Sequence, residues 1–323
     1  MGDLVLAVDI GGTKFAAALV EPDGRLLRSE RVATPPGGDA ETLWTTLTGL
    51  IDRLGMPHRV AGVGIGCGGP MSWPDGEVSP LNMRGWQGFP LRERLAARFP
   101  GVPVHIHNDA ICLAVAEHWR GAGRGSADML GMVVSTGVGG GLILGGRLVD
   151  GGTGNAGHIG HVVVEPDGPR CRCGGRGCLE AVARGPGLAA WAVSQGWSPG
   201  AADLRDKEDL YQEAGPATAR RLAADAAAGD PVALAAMARA GRALGIAIAA
   251  AANLCDLDLV TIGGGLSQAG PPLFGPLEEA LRDHTRMEFA GRVRAVPASL
   301  GQDAGLVGAA ALVLAAETYW SAG

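Results

Sequence analysis

The sequence predicts an α/β fold of two similar halves facing one another across a cleft, and three observations lead there. Its 323 residues suggest about two domains, at ~100–200 residues each. Apolar, strand-like runs alternate with helical patterns, as in an α/β layer. A pattern of strand, glycine turn, strand, turn and third strand near the start returns in mid-chain, Gly137 lying 126 residues after Gly11. With 47% apolar and 19% charged residues the chain can bury a sizeable core. Its 54 Gly and 20 Pro stay below the ~25–30% share typical of low-complexity chains.

The elements follow in order. LVLAVDI-GGT-KFAAALV-EPDG-RLLRSERVAT is a three-stranded meander with a glycine turn and a Pro-Asp-Gly turn. Leu43, Leu47, Leu50 and Leu54, at 3–4 spacing, predict a helix over Asp39 to Leu54, and VAGVGIG is a buried strand. A loop rich in proline and tryptophan leads to a helix near Leu91 to Phe99, a short strand VHIH, and a helix opened by Asn108 and Asp109. GMVVS-TGVGG-GLILG-GRLVDG repeats the opening meander. Downstream are a Gly-rich segment over 150–161, a cysteine cluster, and an Ala-rich helical region from about Asp203 to Ala252. The strand LDLVTIGGG, a helix near Pro272 to His284, the strand RVRAV and a last helix from Gly305 to Glu317 complete the order. The expected division is 1–109, joined by the returning C-terminal helix 305–323, against 110–304.

The formal charge of −6 and the lack of a Lys/Arg run argue against nucleic acid as a partner. Asp9 interrupts the first apolar run, so neither its charge nor its length suits a signal peptide, and Leu6 stands where a myristoylation motif wants Ser or Thr. The apolar stretches Leu244–Ala252 and Ala304–Ala316 fall short of the ~20 residues that span a bilayer. The expectation is a cytoplasmic protein without membrane contact. Cys67, Cys112 and Cys255 lie among apolar neighbours and are expected to be buried.

A glycine turn between buried strands lets backbone N–H groups approach phosphate oxygens, and such nests favour anions. Asp9-Ile-Gly11-Gly12-Thr13-Lys14 and Ser135-Thr136-Gly137-Val138-Gly139-Gly140 occupy matching places in the repeat, and Gly263-Gly264-Gly265 follows another strand. Each alone is also compatible with a tight hairpin. A Walker A loop is excluded, because the only lysines, Lys14 and Lys207, do not follow glycine. Gly64-Ile-Gly66-Cys-Gly68-Gly69 has dinucleotide-fingerprint spacing, but Pro70, Trp73 and Pro74 stand where that fold needs a helix.

His161, Cys171, Cys173 and Cys178 form H-x9-C-x-C-x4-C, one imidazole and three thiolates suited to a closed tetrahedral Zn²⁺ site. Four protein ligands leave no open position, so the ion would be structural; the alternative is three free thiols in a surface loop. Such a site would fix the neighbouring Glu180 and the other nitrogen of His161. Asp109, beside Asn108 at a strand-to-helix junction, is a candidate general base or simply the helix N-cap. Asp9, next to a glycine loop, is placed either to hold the water shell of Mg²⁺ or to pair with Lys14.

DIGGTK, STGVGGG, HNDA, GNAGHIGH, CRCGGRGCLE and IGGG, in order over nearly the whole chain, closely resemble the ROK family of bacterial sugar kinases and sugar-responsive repressors, its glucokinases in particular. The resemblance implies the actin-like, ribonuclease-H-like ATPase fold with ATP in the interdomain cleft. It places ATP on Asp9, Gly11, Gly12, Thr13, Lys14, Thr136, Gly137, Val138, Gly139, Gly264 and Gly265. It implies sugar contacts at Gly69, Asn82, Asn108, Asp109, His161 and Glu180, with the Asp109 carboxylate taking the proton of the 6-hydroxyl. A homo-oligomer, dimer or tetramer, is implied as well. Where most kinases of the family read Gly-Glu-x-Gly-His, this chain reads Gly157-His158-Ile-Gly-His161. His158 thus joins the candidate sugar-binding residues, and glucose leads over a hexose altered at carbon 2 or 3, an N-acylhexosamine or an aminoglucose. A sugar-sensing regulator is the less favoured alternative, because the family's repressors carry a helix-turn-helix domain ahead of the first loop, which here begins at residue 9.

Overall fold

The computed structural model describes residues 4–55, 59–199 and 218–320. The first meander forms as β1 (Val5–Ile10), β2 (Lys14–Val20) and β3 (Leu26–Ala33). Then come α1 (Ala40–Arg53), β4 (Gly62–Cys67), and three two-residue strands, β5 (Met71–Ser72), β6 (Glu77–Val78) and β7 (Phe89–Pro90). Helix α2 (Leu91–Arg98), strand β8 (Val104–Asn108) and helix α3 (Asp109–Arg120) follow. The second meander is β9 (Met129–Val134), β10 (Val138–Leu144) and β11 (Arg147–Leu148). Beyond it lie α4 (Leu179–Ala183), α5 (Gly185–Ser194), α6 (Ala219–Ala227), α7 (Pro231–Cys255), β12 (Leu259–Gly263), α8 (Pro271–His284), β13 (Arg294–Pro297), α9 (Ala304–Leu314) and α10 (Ala316–Tyr319).

The chain divides into two compact units: one of Met1–Gly125, Gly141–Ala156 and Leu300–Gly323, the other of Ser126–Gly140 and Gly157–Ser299. The division thus follows α3 rather than preceding it at Asp109. The reason is packing: a Cβ on Gly308 of α9 would lie 1.8 Å from Cys112 O, so α9 meets the backbone of α3 directly. The segment 141–156 also belongs with the first unit, Gly141 lying against Ile111 and Ala114.

In the first unit the sheet order is β3-β2-β1-β4-β8, with β2 antiparallel and β4 parallel to β1, and β8 parallel to β4. The central β1 is apolar on both faces, as a strand covered on both sides must be. Leu6, Val8 and Ile10 join the core with Leu43, Leu47, Leu50 and Trp86, while Val5 and Ala7 pack with Leu306, Ala309 and Ala310 of α9. The glycines of β4 set how closely α9 lies, since a Cβ on Gly64 would meet Ala309 O at 1.8 Å.

The other five-stranded sheet has the order β11-β10-β9-β12-β13, with β12 parallel to β9 and to β13. Helix α7 starts at Pro231, after Asp230 accepts the Ala233 N–H at 2.7 Å, and runs for 25 residues, well beyond its apolar stretch. By length and composition it could cross a membrane, yet its Ala- and Leu-rich faces are buried against α4, α5, α6 and α8. Gly241 and Gly245 allow this contact, a Cβ on either lying 2.4–2.5 Å from a carbonyl of α8. The expected helical region extends back to Asp203, and its part over 203–217 lies outside the described residues. The last helix ends at Leu314 and resumes as α10, because Ala315 leaves helical geometry at φ −125° and ψ 21°. Cys67 and Cys112 are buried as expected; Cys255, at the end of α7, is only half-buried.

Candidate active site

The first unit gathers one set of the expected residues. In the turn between β1 and β2 the Gly11 N–H donates to Lys14 O at 3.0 Å, and Thr34 holds the turn from outside, its hydroxyl donating to Gly11 O and its N–H to Thr13 O. Gly12 and Thr13 are left exposed at the tip. Asn82 lies over this tip, since a Cβ on Gly12 would come 2.6 Å from Asn82 Cβ. Gly12 must therefore be glycine for Asn82 to sit there. Thr34, remote in sequence from the turn, carried no signal.

At the start of α3, Asn108 and Asp109 divide two roles. Asn108 is the N-cap, its Oδ1 accepting the Ala110 N–H at 3.0 Å, and its Nδ2 lies 3.0 Å from where a Cβ on Gly69 would stand. Asp109 is the first helical residue; its Oδ1 also accepts from Ala110, at 2.8 Å, while Oδ2 is turned toward Gly68. The cap is thus the neighbour, and the Asp109 carboxylate keeps an oxygen directed at the glycine end of β4.

Asp9, near the end of β1, lies flush against the first turn of α9, where a Cβ on Gly305 would be 2.5 Å from its Oδ2. Burial first, and then the negative charge of Asp109, raise the pKa of Asp9 from 3.8 to about 7; Lys14 and Arg31 oppose this without cancelling it. Burial first, and then the same two carboxylates, hold the thiols of Cys67 and Cys112 well above their ordinary range. Mutual repulsion between two carboxylates favours a cation beside them.

The second unit gathers the other set. The loop between β9 and β10 is closed by the Ser135 N–H donating to Gly137 O at 2.9 Å. Glu180 reaches it from α4 and accepts the Val138 N–H on Oε2 at 3.0 Å, a bond that a Cβ on Gly137 would crowd at 2.9 Å. Sequence reasoning missed this bond: Glu180 holds a glycine-loop amide, and the Val138 N–H is engaged by it. Gly264, at φ +91°, lies with its Cα against Val134 O, so the third glycine loop stands beside the second. His158 and His161 stack at 6.3 Å on a segment whose Gly160 touches Val138 O.

The ligand atoms of His161, Cys171, Cys173 and Cys178 all lie within 4.8 Å of one another. Cys171 Sγ is 3.8 Å from His161 Nδ1, and Cys173 Sγ is 3.8 Å from Cys178 Sγ. Zn–S bonds of ~2.3 Å in a tetrahedron give an S···S edge of ~3.8 Å, so the donor set fits such an ion. Burial and the adjacent thiols push Cys178 up to about 12, whereas hydrogen bonds from the Gly175 backbone and from Cys171 lower Cys173. Gly177, at φ +68°, makes the tight return, with Glu165 O where a Cβ would be.

The profile of the ROK family matches residues 5–316. The chain belongs to the ROK family. Among ROK family proteins, it is 36% identical over 314 residues to a glucokinase of Thermotoga maritima, covering 96% of each chain. To an N-acetylmannosamine kinase of Yersinia pseudotuberculosis it is 34% identical over 312 residues, 94% of this chain and 96% of that one. A crystal structure of a ROK family glucokinase from Streptomyces griseus, in complex with glucose and AMPPNP, superposes with a TM-score of 0.79 at 33% identity, covering 96% of this chain and 99% of that one. The fold is accordingly the actin-like, ribonuclease-H-like ATPase fold of ROK kinases.

The raised pKa of Asp9 has a stability consequence. A carboxyl whose pKa is higher folded than unfolded stabilises the fold while protonated, and that contribution is lost as pH rises from about 4 through 7. In nucleotide-free protein, Asp9→Asn is therefore expected to stabilise the fold by ~1–3 kcal/mol at pH 8 and by much less at pH 5. Urea unfolding at the two pH values measures this, and equal effects at both would contradict it.

Proposed function

We propose that this chain transfers the γ-phosphoryl group of ATP to the 6-hydroxyl of a hexose, with glucose the leading acceptor. The observation that carries the reading is the division of labour at α3, where Asn108 caps the helix and leaves a carboxylate oxygen of Asp109 turned toward Gly68. Phosphoryl transfer needs positioning, charge stabilisation and one group that takes the hydroxyl proton. Asp109 is assigned that proton; Gly69, Asn82, Asn108, His158, His161 and Glu180 are assigned to the sugar. The loops at Gly11–Lys14, Thr136–Gly139 and Gly264–Gly265 are assigned to the nucleotide phosphates.

Mg²⁺, when bound with ATP, neutralises charge on the β- and γ-phosphates. Asp9 would hold its water shell, a role consistent with a buried carboxylate crowded by Asp109. Zn²⁺ in the Cys3His cluster would hold the loop that ends at Cys178, the residue that opens α4 and thereby sets Glu180 on the Val138 N–H.

A second acceptor is favoured by one residue. His158 replaces the carboxylate that most ROK kinases carry, and an imidazole can donate as well as accept. A hexose altered at carbon 2 or 3 is the runner-up, in line with the similarity to an N-acetylmannosamine kinase.

Two outcomes are expected. In an ADP-release assay over glucose, mannose, N-acetylglucosamine and N-acetylmannosamine, Asp109→Asn should lower kcat by at least ~10²–10⁴ on the preferred sugar while sugar binding persists; near-normal kcat would remove the base from Asp109. Protein purified without chelator should contain about one zinc per chain, and stripping it should raise KM for ATP as Glu180 loses its anchor. Metal analysis showing no zinc would contradict the structural ion.

A further inference from the structure

β8 is the edge strand of its sheet, paired with β4 on one side only. Its last residue, Asn108, is the cap on which Asp109 is seated, and it is buried with 7% of its surface exposed. The backbone N–H of Asn108 donates to the Nδ1 of its own predecessor, His107, at 2.9 Å. The imidazole of His107 is 1% exposed, and its Nε2 lies 2.9 Å from Asp150 Oδ1. An Nδ1 that accepts an N–H leaves the ring proton on Nε2, where it donates to Asp150. Asp150 is itself held, its Oδ2 accepting the indole N–H of Trp320 at 3.0 Å. Trp73 stacks on one side of this arrangement, 5.8 Å from the His107 ring, and Trp320 lies 6.4 Å from the same ring.

We propose that His107 is the positioning residue of the general base: through Nδ1 it fixes the backbone at Asn108, and Asp150 with Trp320 hold its ring in the tautomer that can do so. The chain Trp320–Asp150–His107–Asn108 ends one residue before Asp109. The C-terminal segment grips the far part of the same helix too, the Tyr319 hydroxyl lying 2.7 Å from His118 Nδ1 and donating to Val115 O at 3.4 Å. Tyr319 thus reaches α3 itself, and Trp320 reaches the strand that leads into it. Mispositioning a reacting group by about 1 Å costs up to ~10²-fold in rate, so a relay that fixes the cap acts on turnover.

The proposal rests on Asp109 as the base, and the test separates the two. Wild type, Asp109→Asn, His107→Phe, His107→Asn and Trp320→Phe are compared for kcat and for KM of ATP, with thermal unfolding run in parallel. His107→Phe keeps a flat ring beside Trp73 and Trp320 and removes both hydrogen bonds. His107→Asn puts an amide oxygen where Nδ1 stood, so the Asn108 N–H keeps an acceptor although the bond to Asp150 is lost. The expected result is a kcat reduced about tenfold or more in His107→Phe with KM for ATP changed less than about threefold. His107→Asn should recover most of kcat while its Tm stays reduced, a split that a purely structural role would not produce. A folded His107→Phe with wild-type kcat, or a His107→Asn no faster than His107→Phe, would overturn the proposal. Should His107→Phe not fold, Trp320→Phe decides: it removes one donor to Asp150, and about a threefold loss of kcat supports the relay while an unchanged kcat overturns it. Full rate in Asp109→Asn would instead defeat the assignment of the base, and His107 with it.

Discussion

Asp9 lies against Gly305 with the charge of Asp109 close by, and the packing of the first unit serves to keep these two carboxylates together. Helix α9 brings its first turn under Asp9 only because Gly64 lets it rest on β4 and Gly308 lets it rest on α3. Helix α3, held by the same contact, carries Asn108 and Asp109. A methyl group at 64 or 308 would force these backbones apart, and one at 305 would collide with the Asp9 carboxylate. The cost of the arrangement is electrostatic: burial and mutual repulsion raise Asp9 to about 7, near the pH at which a kinase meets its nucleotide. A divalent cation is the kind of partner that relieves such a cost.

The second unit reaches comparable order by other means. Its loop over 161–178 turns through glycines such as Gly177 and gathers the ligand atoms of His161, Cys171, Cys173 and Cys178 within 4.8 Å of one another. Only Leu179 separates Cys178 from Glu180, and Glu180 binds the amide of Val138 in the repeated glycine loop. The Cys3His cluster and the repeated glycine loop are thereby connected through one carboxylate.

The parts of the fold legible in the sequence were those determined by neighbours along the chain. Both meanders could be read because turn glycines and period-two apolar runs are local, and α1 because Leu43, Leu47, Leu50 and Leu54 share a face behind an Asp39 cap. The three-stranded sheet of β5, β6 and β7 left no trace, since two-residue strands have no period. Adjacent Asn108 and Asp109 could each cap α3, and the register of the helix decided for Asn108. Glu180 on Val138, Thr34 on Gly11 and His107 on Asp150 join residues 42, 23 and 43 positions apart, pairs that only the folded chain brings together. The cysteine cluster could be read because its spacing is short and thiols are few.

The proposed activity is defined by the site of the new bond, a phosphate ester on the sixth oxygen of a hexose. The most direct measurement is phosphorus–proton NMR of the product made from ATP and glucose by the purified protein. The expected result is a single phosphomonoester coupled to the two protons on carbon 6, and no product from 6-deoxyglucose. An ester on any other carbon, or ADP released with inorganic phosphate and no sugar ester, would contradict it.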